Sequence, residues 1–382
     1  PRKYVHGSWY CRWWNYTDDD YRQLVREYKE HDFPLDIMVF DMGWHTQNAT
    51  VGTGHAGTRG WTGYSWNRKL IKDPAKLIQD LKDDHVYVVL NEHPHDGLRP
   101  HDDAYPMFIR DLGADTLKNG VPLFDAGNPE YMKAFMKHAH QESDQMGVAF
   151  WWLDWQQDYL YPYVRGTSMR HLPWLNKIYY DYSARNNLRG AGFSRWAGWG
   201  DHRHPIQFSG DAVANWELLR FEIDLTTTSG NAGCFFWAHD LGGFYGGDDA
   251  ELYTRWTQFG LLNSSLRIHS VYDEKLDRRP WLWGDKEEEA MKRGYPIKIS
   301  RLPASAIPRA RTLQNMDGML KAIVNTDTEK ILGCSLFCVD APELINLVAF
   351  VMKTGQKSSA LRNFIFTHPS MSEGLNGLFK AF

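Results

Sequence analysis

The sequence has few cysteines, no long apolar run and no basic block, and each absence excludes a class of protein. Its 382 residues include four cysteines (Cys11, Cys234, Cys334 and Cys338), too few and too scattered for a disulfide scaffold or a zinc site. No apolar segment is long enough to span a membrane, and the first residues do not resemble a signal peptide. A net charge of −4 without a basic cluster argues against nucleic acid as the main partner. We therefore expect a soluble protein whose compartment the sequence leaves open.

Aromatic residues, in contrast, are abundant. The chain contains 17 Trp, 19 Tyr and 19 Phe, and many of them flank Gly, Asn, Asp or His in loop-like stretches. Such rings either fill a core or form a binding surface for a ligand with flat apolar faces and many hydroxyl groups. Sugars fit the second description.

An apolar, aromatic run over residues 148–153 is followed directly by Asp154. Continuous apolar runs of this length are typical of strands that are buried on both faces. A carboxylate at the end of such a strand lies where α/β proteins place their catalytic groups. Taken alone, Asp154 is equally well explained as a buried acid that neighbouring amides satisfy.

Strand and helix patterns alternate about eight times over roughly 270 residues, which is the length and rhythm of a (β/α)8 barrel. Residues 18–30 have a helical pattern with Thr17 as N-cap, and residues 233–240 are a predicted strand. In such a barrel the polar residues that follow the strands converge at one mouth; they are Asp41, Asp154, Arg195, Asp211, Asp240 and His269. Asp41, Arg195, Asp240 and His269 would bind the ligand there; the alternative is that each makes a structural polar contact at a strand end.

Five segments carry a more specific signal: Trp152-Leu153-Asp154, Phe208-Ser209-Gly210-Asp211, His239-Asp240-Leu241-Gly242-Gly243-Phe244, Arg255-Trp256-Thr257-Gln258-Phe259-Gly260 and Arg267-Ile268-His269. Their order and spacing resemble glycoside hydrolase family 31, the α-glucosidase and α-xylosidase family, over about residues 5–294. The resemblance implies a TIM-type barrel that hydrolyses α-glucosides or related α-linked glycans by double displacement, through a covalent glycosyl-enzyme. It implies no cofactor and no metal.

Carried over by position, the resemblance implies that Asp154 is the catalytic nucleophile and Asp211 the general acid/base. It also implies a set of residues that bind the sugar of the −1 subsite: Asp41, Trp152, Trp155, Arg195, Phe208, Asp240, Phe244 and His269. The sequence departs from the common family pattern at Trp155-Gln156-Gln157 and at Phe208. Both departures lie at the rim of the expected pocket, so they leave the sugar and the linkage open.

The chemistry gives an independent reason for two acids. Retaining hydrolysis needs two carboxyl groups about 5–5.5 Å apart, one that attacks the anomeric carbon and one that protonates the leaving oxygen. Their surroundings must separate their pKa values. We expect Asp154, near Arg195, to stay ionised and Asp211, which follows Ile206-Gln207-Phe208, to hold its proton.

Histidines and acids over residues 93–96 and 101–103 resemble metal ligands on first inspection. Loops of this kind more often contact a sugar or solvent, and the family is metal-independent, so we predict no metal site.

The pattern changes near residue 294. Segments 307–311, 318–324, 331–336, 343–346 and 366–373 resemble the C-terminal dimerisation domain of flavin-dependent pyridine nucleotide–disulfide oxidoreductases, over about residues 303–382. The resemblance implies a small α+β domain, a homodimer formed through it, and a dyad of His368 and Glu373 that serves the active site of a partner subunit. The chain contains neither a Gly-x-Gly-x-x-Gly motif after a strand nor a Cys-x4-Cys pair, so we expect no redox activity from this part alone.

The predicted organisation is a catalytic barrel over residues 1–294, a junction over 295–302 and a dimerisation-like domain over 303–382. The sequence predicts no last barrel helix and no β-sandwich domains, which normally follow a family 31 barrel. Two unrelated resemblances in one chain indicate a fusion, a composite or a truncated chain. The alternative functions are an inactive sugar-binding or scaffold chain, and a dimerising oxidoreductase fragment without its flavin and nucleotide domains.

Overall fold

The computed structural model describes residues 2–47, 58–184, 189–198, 200–204, 206–285, 288 and 297–382. The chain divides into two compact units, Pro1–Lys292 and Arg293–Phe382. In the described part of the chain, no helix has the length and apolar character needed to cross a membrane.

The first unit alternates strands and helices along the chain. Its strands are β1 Ser8–Arg12, β2 Ile37–Phe40, β3 Tyr87–Glu92, β4 Phe150–Leu153, β5 Phe193–Arg195, β6 Gln207–Phe208 and β7 Leu266–Ile268. Its helices are α1 Asp18–Glu30, α2 Pro74–Asp83, α3 Tyr105–Leu112, α4 Thr116–Asn119, α5 Pro129–Phe135, α6 Gln141–Met146, α7 His171–Ser183, α8 Trp216–Gly230 and α9 Ala250–Gly260. A π-helical turn, Met136–His140, joins α5 to α6.

The seven strands form one parallel sheet in the order β6-β5-β4-β3-β2-β1-β7. The segment between α8 and α9 lies between the two edge strands: Gln207 N–H donates to Phe236 O, and Leu241 N–H donates to Arg267 O. Single parallel bridges, Gln207–Trp237 and Leu241–Ile268, therefore close the ring. The predicted strand over residues 233–240 occupies this eighth position, but it makes isolated bridges rather than a regular ladder. The TIM-type barrel is confirmed in this form.

Strand side chains alternate between two cores, as the period of two along a strand requires. Trp9, Ile37, Val89 and Phe150 point into the ring and pack with the other inward residues. The outward residues, such as Met38, Val88 and Trp151, pack against the surrounding helices. Burial on both faces is the reason that these strands appear in the sequence as continuous apolar runs.

Helix α1 begins where the sequence predicts. The Thr17 hydroxyl accepts from the N–H of Asp20, and the Asp20 carboxylate accepts from the N–H of Thr17, so the two residues form a capping box. Leu24, Val25 and Tyr28 lie on the buried face of the helix, which confirms the prediction for α1.

The prediction that the barrel lacks its last helix bears on residues 283–296, most of which lie outside the described residues. Before them, two short 3-10 turns, Glu274–Leu276 and Pro280–Leu282, follow β7.

The second unit is an antiparallel three-stranded sheet with helices, in the order β10-β9-β8. Its strands are β8 Ile297–Pro303, β9 Met319–Asn325 and β10 Ile331–Phe337, and its longest helix is Ala341–Lys353. Shorter helices are Pro308–Thr312, Ser359–Arg362 and Gly374–Phe379. Strand β8 lies in the segment that the sequence assigns to a junction. The small α+β fold is confirmed.

Candidate active site

A pocket of about 60 Å³ opens at the carboxyl ends of the barrel strands. In parallel barrels this is the end at which catalytic side chains converge. The residues that line it are Trp13, Asp41, Met42, Trp61, His93, Trp152, Asp154, Trp155, Asp211, Phe244, Tyr245 and His269. Seven of the ten sequence-predicted site residues are among them, and Arg195, Phe208 and Asp240 lie behind the wall.

The turn after β4 fixes the position of Asp154. Its N–H donates to Glu92 O at 3.1 Å, which extends the pairing of β4 with β3 by one residue. Trp155 then adopts a left-handed conformation, with φ +58°, and its N–H donates to Asp154 Oδ1 at 2.8 Å. The side chain of Gln157 also donates to Asp154 O. Such strained conformations persist where the surrounding contacts hold them, and here they hold one carboxylate at the pocket wall.

A single guanidinium joins the two predicted catalytic acids. Arg195 Nε donates to Asp154 Oδ1 at 2.6 Å, and Arg195 Nη2 donates to Asp211 Oδ1 at 2.5 Å. The guanidinium carbon lies 4.3 Å from the centre of the Trp155 ring, so this ring packs against the cation. Arg195 thereby brings both carboxyls to one place and fixes one oxygen of each.

Opposing effects act on the pKa of Asp154. Burial alone would raise it, but the positive charge of Arg195 and the nearby His93 outweigh burial, so the pKa is held well below its usual range. His93 Nε2 lies 3.5 Å from Asp154 Oδ2, the oxygen that Arg195 does not contact. Asp154 is therefore ionised at neutral pH, as the sequence analysis expects.

Asp211 follows β6 and behaves in the opposite way. Burial raises its pKa, the charge of Arg195 lowers it, and the charge of Asp154 raises it further, with a net increase. Gly210, just before it, has φ +105°, and a Cβ at this position would come within 2.7 Å of Arg195 Nη1. Only glycine avoids both the strained φ and this clash.

A buried network supports the loop that carries Asp211. The Ser209 hydroxyl donates to Glu222 Oε1 at 2.6 Å, and Trp256 Nε1 donates to Glu222 Oε2 at 2.8 Å. Because Glu222 is fully buried on α8, its pKa rises to about 7. These bonds tie the loop to helices α8 and α9.

Asp41, which follows β2, and His269, which follows β7, also line the pocket. The N–H of Met42 donates to Asp41 Oδ1 at 2.7 Å, and His269 Nε2 lies 3.8 Å from Asp41 Oδ2. Burial raises the pKa of Asp41 to about 6, and it lowers the pKa of His269 well below its usual value. Both residues carry polar atoms that suit sugar hydroxyls, and their role as sugar ligands stays a prediction.

Some of the predicted aromatic residues line the pocket, and one is buried behind the lining residues. Trp152 and Phe244 line the pocket, and their ring centres lie 5.3 and 4.8 Å from that of His269. Phe208 is fully buried behind Trp152, with ring centres 5.6 Å apart. Trp155 stands at the rim and is 36% exposed.

Asp240 lies deeper than the pocket wall predicted from the sequence. It is fully buried and paired with Arg267, which is also fully buried and which the sequence analysis does not assign to the site. The Arg267 guanidinium packs on the rings of Trp152, Phe193 and Phe208 at 4.6–4.9 Å. Burial raises the pKa of Asp240 to about 8, against the opposing charge of Arg267. This pair supports the floor of the pocket from within the barrel.

Replacing Arg267 by methionine is expected to destabilise the chain by about 3–5 kcal/mol, because it leaves Asp240 buried without its cation. The stability of the variant should itself fall between pH 5 and pH 8. In the variant the folded chain binds more protons than the unfolded chain above the ordinary aspartate pKa, so stability falls as pH rises. Urea denaturation of the parent chain and the variant at pH 5 and pH 8 measures the free energies of unfolding.

The matched control is Arg255→Met on α9, where the side chain is 48% exposed and pairs with Glu251 at 3.5 Å. This substitution should lower the free energy of unfolding by less than about 0.5 kcal/mol. Equal losses for the two variants would contradict the role assigned to Arg267.

Five of the lining residues lie outside the predicted set, and for two of them, His93 and Tyr245, the sequence contains a signal. His93 follows β3 at the same end as Asp41 and Asp154, but its run of histidines suggested metal ligands instead. Tyr245 directly follows Phe244, and its N–H donates to Ala212 O at 2.9 Å, beside Asp211. Strand-end position would have identified His93, and adjacency to Phe244 would have identified Tyr245.

Comparison with known proteins assigns the barrel. Residues 1–305 match the family described as "Glycosyl hydrolases family 31 TIM-barrel domain". The chain belongs to glycoside hydrolase family 31. A probable glucan 1,3-alpha-glucosidase of Arabidopsis thaliana is 25% identical over 337 aligned residues, covering 79% of this chain and 35% of that protein. Neutral alpha-glucosidase C of Homo sapiens is 23% identical, with 79% and 35% coverage. This family 31 chain thus spans about a third of the length of these relatives.

Solved structures agree on the fold of the family 31 barrel. A glucosidase II alpha subunit, in its alpha3-Glc2-bound form, matches with a TM-score of 0.62 and 20% identity, covering 83% of this chain and 37% of that one. A GH31 alpha-xylosidase from a soil metagenome, complexed with xylose, matches with a TM-score of 0.57 and 20% identity, covering 76% and 48%.

The C-terminal part of this family 31 chain matches a different group. Residues 283–378 match "Pyridine nucleotide-disulphide oxidoreductase, dimerisation domain". The probable pyridine nucleotide-disulfide oxidoreductase RclA of Escherichia coli (strain K12) is 53% identical over 96 residues, covering 25% of this chain and 22% of that protein. The composite character predicted from the sequence is confirmed. In this part His368 Nδ1 lies 2.7 Å from Glu373 Oε2, so the two residues of the predicted dyad are in contact.

Proposed function

We propose that the barrel is a retaining α-glycosidase that hydrolyses α-glucosides or related α-linked glycans through a covalent intermediate on Asp154. One observation carries the proposal: Arg195 holds two carboxyl groups together while their pKa values are shifted in opposite directions. Retaining hydrolysis uses two carboxyl groups whose pKa values are separated in this way, one lowered and one raised.

In the first step an oxygen of Asp154 attacks the anomeric carbon, and the bond from that carbon to the leaving oxygen breaks. Asp211 gives its proton to the leaving oxygen. In the second step Asp211 takes a proton from water, the water oxygen attacks the anomeric carbon, and the ester to Asp154 breaks. The stereochemistry is retained because two displacements occur at one carbon.

Arg195 links the two steps electrostatically. In the free chain its charge is shared by Asp154 and Asp211. Once Asp154 is esterified it carries no charge, and Asp211 is the remaining anionic partner of the guanidinium. The ionised form of Asp211 is then favoured at the moment when the reaction needs a base.

The pH dependence of kcat/KM should follow the two carboxyls. Activity should fall at low pH as Asp154 is protonated, and this limb should lie below the ordinary aspartate pKa because Arg195 lowers the pKa of Asp154. Activity should fall again as Asp211 loses its proton, above the ordinary pKa because burial raises that of Asp211. A pH–rate profile on an aryl α-glucoside measures both limbs. A single limb centred on a histidine pKa would contradict this assignment.

The proposal is tested with aryl α-glucosides and aryl α-xylosides, because the sequence leaves the sugar open. Proton NMR of the first-formed sugar should show the α-anomer, and initial release of the β-anomer would overturn the retaining mechanism. A folded chain that binds sugars in calorimetry without turnover would instead favour the sugar-binding alternative.

A further inference from the structure

Three different metal-ligating side chains meet at one side of the pocket. Cys11 lies in β1, Asp41 follows β2 and His269 follows β7, and these strands are neighbours in the sheet. Cys11 Sγ is 3.6 Å from Asp41 Oδ2, and His269 Nε2 is 3.8 Å from the same oxygen. All three ligand atoms lie within 4.8 Å of one another, and all three residues are buried. The three residues are far apart along the chain, so no motif in the sequence brings them together.

The distances between these side-chain atoms are close to those expected for tetrahedral coordination of a cation. Bond lengths of about 2.3 Å from zinc to sulfur and about 2.0–2.2 Å to nitrogen or oxygen imply ligand-to-ligand distances of about 3.3–3.7 Å at the tetrahedral angle. The Cys11–Asp41 distance already has this value, and the Asp41–His269 distance is only slightly longer. A moderate approach of Cys11 and His269 would complete three corners of a tetrahedron.

The donor atoms select the class of cation. A thiolate with an imidazole and one carboxylate suits Zn²⁺ or Co²⁺, whereas Mg²⁺ and Ca²⁺ favour oxygen ligands. A weak hydrogen bond from the Cys11 thiol to Asp41 is the plain explanation for the first contact. The His269 ring forms a hydrogen bond with the backbone of Cys11, and its Nε2 lies 3.8 Å from the same Asp41 oxygen, beyond normal hydrogen-bond distance.

We propose that Cys11, Asp41 and His269 form an inhibitory site for a thiophilic divalent cation such as Zn²⁺. Binding releases the thiol proton to solvent and forms one bond from the cation to each side chain. The fourth coordination position faces the pocket, because Asp41 and His269 line its wall. The cation then occupies the polar side of the pocket, so it competes with a sugar; this competition rests on the proposed function, whereas the binding itself does not.

The binding is tested on the complete chain with Co²⁺ as the probe. A 1:1 complex with a thiolate-to-Co²⁺ charge-transfer band in the near ultraviolet is expected. Cys11→Ser should abolish the band, while a Cys334→Ser/Cys338→Ser double variant should retain it as the matched control. Absence of the band from the parent chain, or its persistence in Cys11→Ser, would overturn the proposal.

Asp41→Asn provides a second test, because it preserves side-chain shape and removes the charge. Co²⁺ affinity should fall at least tenfold in this variant, and an unchanged affinity would contradict the ligand set. With an active parent, Zn²⁺ should inhibit competitively and reversibly by chelation, and Cys11→Ser should need at least tenfold more Zn²⁺ for half-inhibition. Equal sensitivity would remove the inhibitory role. The Co²⁺ measurement decides the binding even if the chain shows no turnover.

Discussion

Replacing Asp154 by alanine is expected to lower kcat/KM on an aryl α-glucoside by about 10⁴-fold or more, because no other group can form the covalent intermediate. The Asp154 carboxylate is kept ionised by Arg195 and held at the pocket wall by the turn of Trp155 and Gln157. Initial-rate kinetics on the purified variant measure the loss. Its melting temperature, compared with that of the parent chain, verifies that the barrel is folded.

Asp158→Asn is the matched control for this variant. Asp158 lies four residues further along, is partly exposed and pairs with Arg170 at 3.3 Å, so its loss should change kcat/KM less than about twofold. Adding azide to Asp154→Ala should restore turnover of an activated aryl glycoside and give the glycosyl azide of β configuration. A folded Asp154→Ala variant with parental turnover would contradict the assignment.

Replacing Asp211 by asparagine should have the second-largest effect, and its size should depend on the leaving group. A disaccharide needs protonation of its leaving oxygen, so its kcat/KM should fall by about 10²–10⁴-fold. A dinitrophenyl α-glucoside needs no such proton in the first step, so its bond cleavage should be nearly unaffected. Burst kinetics should then show the glycosyl-enzyme accumulating, because the second step lacks its base.

Asp224→Asn on α8 is the control for Asp211→Asn, since Asp224 is an exposed carboxylate away from the pocket. It should leave both substrates unaffected. An Asp211→Asn loss that is the same for the disaccharide and for the dinitrophenyl glucoside would show that Asp211 does not act as the acid.

The barrel and the position of Asp154 and Asp211 at its mouth could be predicted from the sequence because each signal is local, whereas their catalytic roles are what the family resemblance implies. The apolar run before Asp154 indicates a strand that is buried on both faces, and a polar residue after it lies at the carboxyl end. Asp41 and Asp211 follow from the same rule. The proximity of Asp154 and Arg195 is also expected from the sequence, whereas the second contact of the same guanidinium, with Asp211, is seen only in the structure, where β4, β5 and β6 are neighbours.

Two other features were missed for physical reasons. The Asp240–Arg267 pair spans the gap between the eighth segment and β7, where isolated bridges replace a ladder, so no strand pattern relates the two residues. Strand β8 places Ser300 inside and leaves Ile299 40% exposed, so its apolar residues do not mark the buried face. A hydrophobic pattern identifies a strand only when the apolar residues of the strand are the ones that are buried.

The central claim, a covalent glycosyl-enzyme on Asp154, is tested most directly by trapping that intermediate. The complete chain is incubated with a 5-fluoro-α-glucosyl fluoride, which slows the second step, and its intact mass is measured. The account predicts a gain of one fluoroglucosyl group, located by peptide mass spectrometry on Asp154 and absent from Asp154→Ala. A label on another carboxylate, or an unlabelled chain that still turns over aryl α-glucosides, would contradict it.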